Sequence, residues 1–188
     1  MAVGKKKKTK AKSKKQQRTL AEIQLEAVEQ AVEILREKSG YKTLQRKTVE
    51  FGDFEYPLDG VNSTGSRMVE INAHTGKLES VDLPKVTEDI IRFAAIKAQP
   101  GREKSSCEIY FVDGKARDSV ADWIQAAAED LGVSLLVVEN FPAKLHGKLV
   151  KAQKSRNKDT GKKQALEDRL RKEIRNEIEI QYRLSQEA

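Results

Sequence analysis

The sequence predicts an α/β protein in which helices flank a mixed β-sheet, and three features of the 188-residue chain carry that prediction. Segments with helical periodicity interleave with short β-branched and aromatic runs, in the order helix, two or three strands, helix, strand, helix, strand. Apolar residues make up 38% of the chain, enough for one ordinary core. Charge gathers at the two ends, which confines that core to the middle. The expected organisation is a disordered basic tail over 1–18, a folded domain over 19–141, a basic linker over 142–162 and a charged helix over 163–188.

Residues 1–18 offer little apolar surface to offset the entropy of ordering. Thr19-Leu20-Ala21-Glu22 is a capping box, and the helix it opens runs to about Lys38, where Ser39-Gly40 stops it. Leu20, Ile23, Ala27, Val28, Ala31, Ile34 and Leu35 form its apolar face, with Glu22, Glu26, Glu29 and Glu33 opposite. Gln24 interrupts the apolar face, as a buried amide or as a side chain aimed into a polar site.

Residues 41–61 read as two short strands or one long bent one, with Phe51, Phe54 and Tyr56 favouring extended structure. A further strand covers 67–73. Asp82 and Pro84 open a helix that reaches about Ala98, ahead of Pro100-Gly101. A strand follows over 107–113, then a helix over 119–131 capped by Ser119, then a strand over 133–139. The apolar run of that last strand suits one buried on both faces. In the charged terminal segment Leu166, Leu170, Ile174, Ile178 and Tyr182 recur every fourth residue, a spacing that drifts round a helix and holds no heptad seam.

The formal net charge is +7, and the first 18 residues hold nine Lys or Arg and no acid. That block, with Lys5, Lys6, Lys7 and Lys8 at its centre, and a second basic stretch over 144–163 that includes Lys151, point to a phosphate-rich partner: nucleic acid. Aromatic residues are 5% of the chain and fall mostly on presumed core strands, so no base-stacking platform for single strands is indicated. The single cysteine, Cys107, has no partner for a disulfide within the chain and reads as a core residue in a reducing compartment. No apolar run approaches membrane-spanning length, and the lysine-rich start lacks the apolar segment of a secretory signal. The expected location is cytoplasmic, nucleoid-associated if the source is bacterial. No phosphate-cradling glycine loop, no nucleophile elbow and no zinc-ligand spacing occurs.

The chemistry-bearing residues are Asp59, in Pro57-Leu58-Asp59-Gly60-Val61, and Glu70, in Arg67-Met68-Val69-Glu70-Ile71-Asn72. The polar turn Asn62-Ser63-Thr64-Gly65-Ser66 joins the two strands that carry them, and a hairpin would bring the carboxylates together. Two hard oxygen ligands suit Mg²⁺, or Mn²⁺, which keeps water for a phosphate substrate. Strand alternation puts Glu70, Asn72 and His74 on one face, which gives His74 a route to proton transfer or phosphate contact. His146, in the basic stretch, has no partner evident from the sequence.

With element order and these residues together, the stretch from Thr19 to Asn140 resembles the PD-(D/E)xK nuclease superfamily, the restriction-endonuclease-like fold. Leu58-Asp59 stands at that family's first acidic position, and Glu70-Ile71-Asn72 at its second acid, variable residue and lysine. The resemblance implies Asp59 and Glu70 as metal ligands, the Ile71 carbonyl as a third, and water attacking a phosphodiester in DNA. Asn72 occupies the lysine position, where an amide supplies no positive charge. Lys85 and Arg92, seven residues apart on one face of the next helix, are the substitutes, with Lys77 a weaker one. The resemblance thus implies a catalytic set of Asp59, Glu70, Asn72 and Lys85, and nucleic-acid contacts at Arg92, Lys151 and the lysine tail. Two alternatives stand beside a Mg²⁺-dependent nuclease: a nuclease-like binding module without chemistry, and an RNA- or ribosome-associated interaction protein. A homodimer or a protein partner would engage the terminal helix.

Overall fold

A computed structural model describes residues 18–157. Helix α1 (Leu20–Arg36) is followed by strands β1 (Gln45–Phe51), β2 (Phe54–Val61) and β3 (Arg67–Asn72), then α2 (Leu83–Lys97), β4 (Ser106–Phe111), α3 (Gly114–Asp118), α4 (Asp122–Asp130) and β5 (Val133–Val137). A further helix, α5, covers 143–157. Within these residues the strands form one mixed sheet in sequence order, antiparallel from β1 to β3 and parallel from β3 to β5.

The capping box forms as the sequence predicts: Thr19 Oγ1 accepts from the Glu22 N–H, and the Glu22 carboxylate accepts from the Thr19 N–H at 2.7 Å. Ile23, Ala27, Ala31 and Leu35 of α1 pack on one face of the sheet against Val69, Ile71 and Tyr110, with Leu145 and Leu149 of α5 beside them. On the other face, Val86, Ile90, Phe93 and Ile96 of α2, with Ile124 and Ala128 of α4, cover Met68, Cys107, Ile109 and Phe111. The central strands β3 and β4 are therefore enclosed on both faces, burying five residues each. Cys107 lies deep in that core, and burial pushes its thiol up to about 11.

Four expectations need correction. In place of the one helix expected over 119–131 there are two: α3 (Gly114–Asp118), which precedes that span, and α4 (Asp122–Asp130) inside it, which has no side-chain cap. Asp113, not Ser119, caps the first, accepting from the Lys115 N–H at 2.9 Å. Ser119 ends it: its hydroxyl donates to the Ala116 carbonyl and accepts from the Leu78 N–H, both at 2.8 Å. Strand β5 is not buried on both faces, because it is the edge of the sheet and exposes Ser134 and Leu136. Asp82 sits at the α2 N-cap but makes no side-chain cap bond, since its Oδ2 accepts from the Glu79 N–H at 3.0 Å.

The fourth correction concerns the linker expected over 142–162. Residues 143–157 are helical and docked, because Leu145 and Leu149 recur four apart on one face. Polar contacts hold the same helix at the C-terminal ends of β3 and β4. His146 Nε2 lies 2.9 Å from Asp113 Oδ2, which also accepts from the Gly76 N–H at 2.8 Å. Gln153 Oε1 accepts from both the N–H and the hydroxyl of Thr75. The lysine tail through residue 17, the remainder of the expected linker and the charged helix expected over 163–188 lie outside the described residues.

Leu149 is fully buried, so Leu149→Ala is expected to lower stability by about 2–5 kcal/mol in urea unfolding. A loss below about 0.5 kcal/mol, the size of an ordinary surface substitution, would mean that α5 contributes nothing to the fold.

Candidate active site

A β-bulge positions the acid pair. Gln45 of β1 faces Val61 and Lys47 faces Leu58, so two residues of β2, Asp59 and Gly60, stand opposite the single residue Arg46. The bulge shifts the alternation of β2, and Leu58 and Val61 both turn into the core under α2. Gly60 suits the close packing there: a Cβ would press on Leu44 Cδ2 at 3.3 Å and touch Val69 Cβ at 3.5 Å. Strand β2 pairs with β3 only at Gly60–Val69 and Val61–Met68, and beyond that point the strands part.

Asp59 lies one step past the last pair, opposite Glu70 by register. Its Oδ2 accepts the Ile71 N–H at 3.0 Å, so the side chain serves as the strand neighbour that β2 no longer provides. In a strand the N–H and C=O of one residue point to the same side, which sets the Ile71 carbonyl facing the acid pair. Asn72 faces the other way along the backbone, its carbonyl accepting from the Val112 N–H at 3.1 Å.

Glu70 is only 6% exposed. Burial, then the charge of Asp59 and a hydrogen bond shared with it, push the Glu70 carboxyl up to about 9, with Asp89 adding to the rise and Lys85 opposing it. Two carboxylates pressed together out of water retain a proton between them unless a cation replaces it. The other buried acid of the central strands, Glu108, accepts hydrogen bonds from Tyr41 Oη at 2.8 Å and Ser106 Oγ at 2.6 Å. Arg67 Nε lies 3.8 Å from it. Glu108 is thus satisfied by neutral donors and a guanidinium, whereas Glu70 meets another acid.

Asp59, Glu70, Ile71, Asn72 and Lys85 line one cavity of about 510 Å³, together with His74 and Gln24. The polar residue in the apolar face of α1 is therefore at the site. Asn72 Oδ1 accepts the His74 N–H at 3.0 Å, which commits that oxygen to capping the strand end. His74 Nδ1 is 3.6 Å from Asp82 Oδ1. Lys85 Nζ is 2.9 Å from Asp89 Oδ2. Partial burial works against its charge, but Asp89, then Glu70 and Asp59, outweigh that effect and hold the Lys85 pKa above its ordinary value.

Arg92 does not line the cavity. Its guanidinium lies 4.1 Å over the Tyr56 ring and pairs with Glu88, one turn earlier on α2. Lys77 is exposed away from the cavity, and so is Lys151 on α5. Lys5, Lys6, Lys7 and Lys8 are outside the described residues.

The sequence reading missed Arg46, Tyr56 and Arg156, which line the cavity, and Asp89, which supports it. Asp89 left a signal: it is an acid on the apolar stripe of Val86, Ile90 and Phe93, 3% exposed, with Tyr56 Oη donating to its Oδ1 at 3.0 Å. Arg46 becomes visible only through the bulge opposite it, and Arg156 only once α5 is known to fold back.

Among the described residues, no group of three or more His, Cys, Asp or Glu is arranged to hold a metal ion. A cation here would take two carboxylates, a main-chain carbonyl and water, a set that fits Mg²⁺ and not Zn²⁺. No protein-family model, curated protein or solved structure matches the chain. No described helix is long and apolar enough to cross a membrane.

The raised Glu70 pKa fixes the sign of a pH effect. Between the ordinary value of 4.5 and about 9 the folded state holds a proton that the unfolded state has released, so metal-free stability falls as pH rises through that window. Glu70→Gln should flatten that fall and exceed the wild type at pH 8 by at least about 1 kcal/mol, or ~2–4 °C in Tm. Identical pH profiles of Tm for the two proteins would show that Glu70 is not held protonated.

Proposed function

We propose that the protein is a Mg²⁺-dependent nuclease that hydrolyses phosphodiester bonds in DNA, with Asp59, Glu70 and the Ile71 carbonyl holding the metal. The observation that carries this reading is the acid pair at the parting of β2 and β3, where burial and the charge of Asp59 push the Glu70 carboxyl up. The order of the elements and the sheet supports the resemblance to the PD-(D/E)xK superfamily. Bound Mg²⁺ would supply Lewis acidity and lower the pKa of a coordinated water.

The remaining chemistry belongs to side chains of this chain. Lys85 takes the electrostatic role that Asn72 leaves vacant, since it lines the cavity and feels both acids. Asp89 holds it in place from the α2 side. Arg46 and Arg156 bring positive charge to the cavity wall, where a phosphate would sit. One observation favours the second reading, a nuclease-like binding module without chemistry: Asn72 stands at the lysine position with its oxygen already engaged.

Cleavage of supercoiled plasmid with Mg²⁺ or Mn²⁺ against EDTA separates the two. Nicking that falls at least about 100-fold in Asp59→Ala and Glu70→Ala, and by a similar order in Lys85→Gln, is expected of the nuclease. Binding of DNA without cleavage on plasmid, single strands or RNA would move the conclusion to the binding module.

Metal binding has its own readout. Because Glu70 must lose its proton to ligate, Mg²⁺ titrated calorimetrically near pH 7.5 should release about one proton, and affinity should rise with pH toward 9. A heat independent of the buffer's ionisation enthalpy would contradict ligation by Glu70.

A further inference from the structure

A second cleft, of about 580 Å³, lies on the α2 face of the β1–β2 hairpin. Lys47 of β1 and Arg102 and Lys104 of the loop between α2 and β4 line it, along with the hydroxyl residues Thr64, Ser66 and Ser105. Glu50 is the one acid in its lining, set against three cations. None of the three cations makes an ion pair with a described residue. Three unneutralised cations brought together by separate elements leave a concentrated positive field over a concave surface.

The edge strand connects this cleft to the acid cavity. Residues Gln45 to Thr48 of β1 are exposed. Arg46 lines the acid cavity, beside Gln24 of α1 and Arg156 of α5, while Lys47 lines the second cleft. A polyanion crossing the β1 edge meets a cation on either side of it. We propose that the Lys47–Arg102–Lys104 cleft is a second phosphate-binding site, which grips the nucleic-acid backbone away from the phosphate in the acid cavity. The inference rests on the nucleic-acid reading above but not on cleavage.

Contacts of this kind are read by salt. Each phosphate contact made by a cation contributes about 0.9 to the slope of log K against log salt for duplex DNA. Binding of a fluorescent duplex to the full chain in EDTA, followed by anisotropy over a range of NaCl, removes cleavage from the measurement. The combined variant Lys47→Ala, Arg102→Ala, Lys104→Ala should bind at least about tenfold more weakly and show a slope smaller in magnitude by about 2–3. A control with the same charge change, Lys38→Ala, Lys42→Ala, Lys115→Ala, removes surface lysines that line neither cavity and lie outside both basic stretches. Its slope should change by less than half as much. Equal changes in the two variants, or no change in the first, would overturn the second site. Failure of the wild type to cleave would instead count against the nuclease and leave this comparison intact.

Discussion

Strand β3 is walled in on both sides, by α1 and α5 on one face and α2 on the other, and yet it carries an acid at its centre. The rest of the site depends on that constraint. Its neighbour β4 carries an acid in the same situation, and the parallel register puts the two on opposite faces, since Val69 and not Glu70 is paired with Glu108. On the α1 face, two hydroxyls and a guanidinium meet the acid. On the α2 face the neighbour is Asp59, placed there by one extra residue in β2. A buried charge is tolerated when its surroundings answer it, and an acid set against another acid prefers to keep a proton.

That preference is shaped by what surrounds the pair. Lys85 lines the cavity from α2 and pairs with Asp89, whose other oxygen accepts from Tyr56. Arg92 stacks on the outer face of the same Tyr56 ring and stands 3.9 Å from Asp89, closing a chain of side chains that links α2 to β2. The chain explains why two cations seven residues apart on one helix have different fates. The lysine lines the cavity and pairs with Asp89, whereas the planar guanidinium finds a ring to cover. Asp89 is the pivot, and its burial beside three polar partners makes it part of the site without touching the acid cavity itself.

Much of this was legible in the sequence, for identifiable reasons. The capping box, the two-strand reading of 41–61 and the meeting of Asp59 with Glu70 rest on local chemistry: a cap, aromatic strand residues and a short turn. What was missed depended on tertiary context. The bulge inserts one residue and leaves no compositional trace, so Arg46 was invisible. Residues 143–157 look like solvated charge because four lysines mask a two-leucine face, and only docking against α1 reveals the helix. The strand Val133–Val137 is apolar enough for a sheet centre, but nothing in its composition says that no strand pairs beyond it among the described residues. His146 looked solitary because Asp113, its partner, lies 33 residues away on the other side of β5 and α4.

The placement of Cys107 also matters to anyone who wishes to handle the molecule. It is the only cysteine in the chain, it is 1% exposed, and it holds its proton well above neutral pH. Thiolate is the reactive species, so the native sulfur is shielded twice, by access and by ionisation. A new cysteine set on the exposed edge of β1 would therefore be the sole site open to maleimide dyes or spin labels. The wild-type background is ready for distance measurements across the hairpin, with no native residue to remove first.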